Sequence, residues 1–117
     1  MKIRIKGNSI RYRMSKSDID QLAERGMVSE KVDFPGRSFV YELVTNDGET
    51  MTAAYQDNTI RVYIPASMSN ELQDPERIGQ QGDDGNISIL VEKDFVCLDN
   101  TIEDQSDFFP HPGMPVC

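Results

Sequence analysis

Residues 2–14, Lys2-Ile3-Arg4-Ile5-Lys6-Gly7-Asn8-Ser9-Ile10-Arg11-Tyr12-Arg13-Met14, alternate charge with apolar bulk on either side of a Gly-Asn pair. A β-strand turns successive side chains to opposite faces, so this alternation predicts two strands. Gly7-Asn8 supplies the positive φ angles of a tight hairpin turn. Folded there, Ile3, Ile5, Ile10, Tyr12 and Met14 share one face, and Lys2, Arg4, Lys6, Arg11 and Arg13 share the other. The isoleucine face needs a core to cover it. The cations then lie on the opposite surface.

Working outward, Ser15-Lys16-Ser17-Asp18 reads as a capping box, with Ser17 and Asp20 as a second register. Ile19, Leu22 and Ala23 recur at helical spacing, and Gly26 suits the position after a helix end. Strands are expected over residues 28–34, 38–45, 50–56 and 59–64, punctuated by Pro35-Gly36, Asn46-Asp47-Gly48 and Asp57-Asn58. The run 38–45 is apolar on both faces and reads as the most central. A second helix is expected over about 67–73, with Pro75 stopping it. Residues 76–86, rich in Gly, Gln and Asp, read as a polar loop prone to disorder, and residues 87–91 as a last strand. The fold class is therefore α+β. It is expected to be a strongly curved, mainly antiparallel sheet or partial barrel of about seven strands, with one main helix (about 15–25) and one short helix (about 67–73).

Placing residue 8 over residue 58 aligns Asn8/Asn58, Ser9/Thr59, Ile10/Ile60, Arg11/Arg61, Met14/Ile64, Ser17/Ser67 and Leu22/Leu72 at one offset. An internal duplication would explain this; ordinary strand-start chemistry coinciding by chance is the other reading. In element order the pattern resembles the triphosphate tunnel fold. The alternating glutamates that open that family's first strand are absent, with Lys2 to Lys6 in their place, so the likeness implies no activity.

The 117 residues suit one domain, 1–117, with a core of about 1–97 and an irregular acidic, proline-rich arm of about 98–117. A chain of this length buries roughly two-thirds of its unfolded surface, enough for one core. The N-terminus has no apolar signal-peptide region and no run is long enough to span a bilayer, so cytoplasmic localisation and no membrane partner are expected. With only Cys97 and Cys117, a structural disulfide is not expected there. Net charge is −8, yet residues 1–31 carry eight basic and four acidic side chains. The acidic balance argues against a nucleic-acid partner while leaving a local basic patch.

The opening Lys2-Ile3-Arg4-Ile5-Lys6-Gly7-Asn8-Ser9-Ile10-Arg11 resembles that of a family of small bacterial proteins of unknown function. So does the close, from Cys97-Leu98 through Glu103-Asp104-Gln105-Ser106-Asp107 to Phe109-Pro110. The resemblance implies no activity. It implies that the acidic arm belongs to the domain.

Three groups of residues merit weighing as sites. Lys2, Arg4, Lys6, Arg11 and Arg13, with Arg61, form a candidate anion site, since forked guanidinium donors match phosphate or carboxylate. The domestic alternative is that the acidic arm supplies those anions, or water does. Cys97, Asp99 and His111 are the weak candidates for metal ligands; without a CxxC or HxxxH pair, no metal or other cofactor is expected. Phe108-Phe109, adjacent rings in a proline-bounded segment, must dock on the parent domain or on a neighbour, which makes self-association a candidate. No nucleophile elbow or phosphate loop is present, so no catalytic residue is assigned. The expectation is a small binding or interaction domain, with a small-anion or phosphate-ester binder or enzyme as the alternative.

Overall fold

The computed structural model describes residues 1–95. The first hairpin forms as its alternation requires: β1 (Lys2–Lys6) and β2 (Ser9–Met14) pair antiparallel with Ile3 opposite Tyr12 and Ile5 opposite Ile10. Gly7 at the turn has φ 55°. Helix α1 (Lys16–Arg25) starts at the Ser15 capping box. The Ser15 hydroxyl accepts from the Asp18 amide at 3.2 Å, and the Asp18 carboxylate accepts from the Ser15 amide at 2.9 Å. The first of the two registers is thus the one used. Gly26 ends the helix in the left-handed region at φ 73°. A second hairpin follows, β3 (Met27–Phe34) and β4 (Arg37–Asn46), turning at Pro35-Gly36.

The second half repeats this order with β5 (Thr52–Gln56), β6 (Thr59–Pro65), α2 (Ala66–Glu71), β7 (Gly79–Asp84) and β8 (Ile87–Lys93). The hairpins exchange partners between halves. β2 lies parallel to β8, with Ile10 beside Ile89 and Tyr12 beside Val91, and β4 lies parallel to β6, with Leu43 beside Val62. The result is two four-stranded sheets, ordered β1-β2-β8-β7 and β3-β4-β6-β5.

This corrects the expected single curved sheet or partial barrel of about seven strands: among the described residues there are eight strands in two sheets and no closed barrel. Two physical causes account for the difference. Parallel pairing across the halves is a tertiary choice that leaves no local turn signature. And the segment expected to be a polar loop contains β7, an edge strand that buries only Gln80. An edge strand with one buried residue needs no apolar run, and the Gln80 amide is satisfied by the Met68 carbonyl at 3.0 Å and Glu71 Oε2 at 2.9 Å. Gly79 is required by close approach, since a Cβ there would sit 2.6 Å from the Val91 carbonyl oxygen.

The core lies between the sheets. Tyr12, Met14, Leu22, Leu43, Met51, Ile64, Leu72, Ile89 and Val91 are almost wholly buried in it. Burial of each large apolar side chain stabilises the fold by about 1.5–3 kcal/mol relative to exposure. Hydrogen bonds tie sheet to sheet: Tyr12 Oη donates to the Glu42 carbonyl at 3.0 Å, and the Ala53 amide donates to Asp84 Oδ2 at 3.0 Å. The helices follow β2 and β6, so they close one end of the core. The turns at Gly7-Asn8 and Asp57-Asn58 lie at the other.

Candidate functional site

Because Ile10, Tyr12 and Met14 face the core, Arg11 and Arg13 must project from the outer face of the first sheet. β1 adds Lys2, Arg4 and Lys6, all exposed on that same side. The five cations grouped from sequence are therefore brought together. β8 sets one carboxylate among them: Glu92 is 3% exposed, with Oε1 accepting from Arg13 Nε at 2.8 Å and lying 3.6 Å from Arg11 Nε. At the end of β1, Lys2 Nζ reaches Asp94 Oδ2 at 2.7 Å. Burial lowers the affinity of the Arg11 guanidinium for its proton; Glu92 opposes this, and the cations of Arg4 and Arg13 add to it. Clustered positive charge is thus an electrostatic property of this face and not only a count of residues.

Arg61 is not part of it. It projects from β6 on the outer face of the other sheet, where its Nε donates to Glu42 Oε1 at 2.7 Å. The fifty-residue offset that matched Arg11 to Arg61 holds, but the two halves put them on different sheets.

A second feature escaped the sequence reading. Ile5 has the inward parity of Ile3 and Ile10, yet it is 56% exposed. At the end opposite the helices, an open cleft of about 520 Å³ lies between the sheets, lined among others by Ile5, Ile10, Phe39, Tyr55, Ile60 and Ile87. Ile10 and Ile60 are buried beneath it, while Ile5 and Tyr55, the latter 69% exposed, stand at its rim. Phe34, 56% exposed, extends the apolar surface through a neighbouring groove that shares Phe39 and Tyr55. Its volume falls within the range of small-ligand sites, and its walls are apolar, as binding clefts usually are. One signal could have located it: Ile5 and Tyr55 occupy matching positions at the offset, each two residues before a turn.

The basic face and the cleft meet at one strand. β1 is a sheet edge, and Lys6 on its outer face adjoins Ile5 and Gly7, which both line the cleft. Among the described residues, no three His, Cys, Asp or Glu side chains are grouped to hold a metal ion, and no helix is long and apolar enough to cross a membrane. Cys97, Asp99, His111, Phe108 and Phe109 lie outside the described residues.

No curated protein and no solved structure matches the chain. A family model does, over residues 1–113, which covers both the cationic hairpin and most of the acidic arm, and the chain belongs to the family of unknown function DUF7009.

Proposed function

We propose that the chain is a non-catalytic binding domain for an extended peptide that is acidic along most of its length and aromatic at one end. The observation that carries this is the junction at β1, where a cationic face runs into an apolar cleft within one residue. Carboxylates would lie along Arg4, Lys6, Arg11 and Arg13, and aromatic rings would enter between Ile5 and Tyr55. Exposed ion pairs contribute about 0–1 kcal/mol each, whereas burying an aromatic ring contributes about 1.5–3 kcal/mol. The cleft therefore supplies most of the affinity, and the cations supply orientation and association rate. The same reading takes the two matching halves as a duplicated strand–helix unit, which accounts for a cleft walled by equivalent residues from each.

The test is a titration of isotope-labelled protein with a synthetic peptide of four acidic residues followed by Phe-Phe-Pro. Amide shifts at Ile5, Lys6, Arg11 and Tyr55 are expected, weakening as salt rises and lost in Tyr55→Lys. No shift at millimolar peptide, in the parent chain and in Phe108→Ser with Phe109→Ser, would refute the reading. Thermal stabilisation by phosphate or polyphosphate, with no response to the peptide, would replace it with small-anion binding.

A further inference from the structure

Resting on that reading, we infer that the occupant of the site is the chain's own segment 98–117, bound in the same molecule. Residues 99–107 would lie along the basic face, with Phe108-Phe109 in the cleft.

Three observations converge on this occupant. Charge is the first: residues 96–117 contain Asp99, Glu103, Asp104 and Asp107 and no Lys or Arg, facing a surface that carries Lys2, Arg4, Lys6, Arg11 and Arg13. The second is the place where the described chain leaves the sheet. After β8 ends, the Asp94 amide donates to the Met14 carbonyl at 2.9 Å and its carboxylate meets Lys2 at 2.7 Å. The Asp94 side chain thus reaches past β2 to the first residue of β1, and makes with Lys2 the kind of contact inferred for the acids that follow.

Reach is the third. From Lys2 to Lys6 the hairpin runs about 14 Å at a strand rise of about 3.4 Å per residue. Asp94 to Phe108 can extend to about 46 Å. The tether therefore spans the basic face and rounds the β1 edge with slack. A tether of this length holds its end near the site at an effective concentration of about a millimolar. A second copy in dilute solution competes poorly with that.

The occupant also gives the two sequence motifs a common purpose. A cationic hairpin at one end of the chain and an acidic, aromatic segment at the other would be two halves of one contact. An external peptide would then have to displace the chain's own segment, so the arm would set the affinity of the site.

A nitroxide on Cys117, in a chain carrying Cys97→Ala, tests this by paramagnetic broadening of amide signals. Broadening at Gly7, Asn8 and Tyr55 is expected. It should be absent when unlabelled isotope-enriched chains are mixed with spin-labelled, unenriched ones. Broadening in the mixture would make a second copy the occupant, and no broadening in either sample would remove the arm from the site; both overturn the inference. A second measurement leaves the cysteines intact: Phe108→Ser with Phe109→Ser should bind the acidic Phe-Phe-Pro peptide about tenfold or more tighter than the parent chain. Equal affinity overturns the inference but keeps the binding site. Absence of peptide binding by this variant removes the site itself.

Discussion

Replacing Glu92 with Gln isolates the one buried carboxylate that the described residues place on the cationic face. Glu92 Oε1 accepts from Arg13 Nε at 2.8 Å, a charge-assisted hydrogen bond. Such bonds contribute about 1.5–3 kcal/mol, against about 0.5–1.5 kcal/mol for a neutral one in the same place. Glutamine keeps the shape and the acceptor, so the loss is the difference, about 1–2 kcal/mol. Glu92→Ala removes the hydrogen bond and the negative charge beside Arg11, 3.6 Å away, and should cost more. Arg11 and Arg13 are partly open to water at 21% and 32%, which places both costs toward the lower end. At about 4 °C per kcal/mol for a domain of this size, Glu92→Gln should melt about 4 °C lower by circular dichroism. A double-mutant cycle with Arg13→Ala cancels whatever else either side chain touches and should return a coupling of about 1 kcal/mol. A Glu92→Gln chain that melts with the parent, together with a coupling near zero, would refute the assignment of Glu92 as the counter-ion that holds this face together.

Two further outcomes follow from local geometry. Gly26→Ala should destabilise more than Gly7→Ala in chemical denaturation: both force a left-handed residue at about 1 kcal/mol, but only at position 26 would the new Cβ meet Thr45 Oγ1, at 2.9 Å. Equal losses would remove the clash from the explanation. Burial raises the Asp18 pKa, but hydrogen bonds from the Ser15 amide and hydroxyl and the Met1 amino group outweigh it and leave it below the ordinary aspartate value. The stability this contributes is present above the unfolded value of about 3.9 and is lost as pH falls through the depressed folded value. The gap in melting temperature between parent and Asp18→Asn should therefore narrow as pH falls below about 5, and a gap constant under acidification would contradict it.

Short-range chemistry was legible without coordinates. The first hairpin, the Ser15 cap, the stop at Gly26 and the turns at Pro35-Gly36 and Asp57-Asn58 are each fixed by φ preference, capping geometry or side-chain alternation acting over a few residues. The same locality grouped Lys2, Arg4, Lys6, Arg11 and Arg13 correctly, because a strand face is a matter of parity.

What the residues could not announce is which strands become neighbours. The parallel pairings of β2 with β8 and of β4 with β6 join positions far apart in the chain, and they are chosen by how the two apolar faces pack. That choice turned one expected sheet into two and made a strand of the Gly- and Gln-rich β7. It also sent Arg61 to the opposite side of the molecule from Arg11. The cleft has the same origin. Ile5 carries the inward parity of its strand, but parity says only which way a side chain points, and packing decides whether anything stands opposite to cover it.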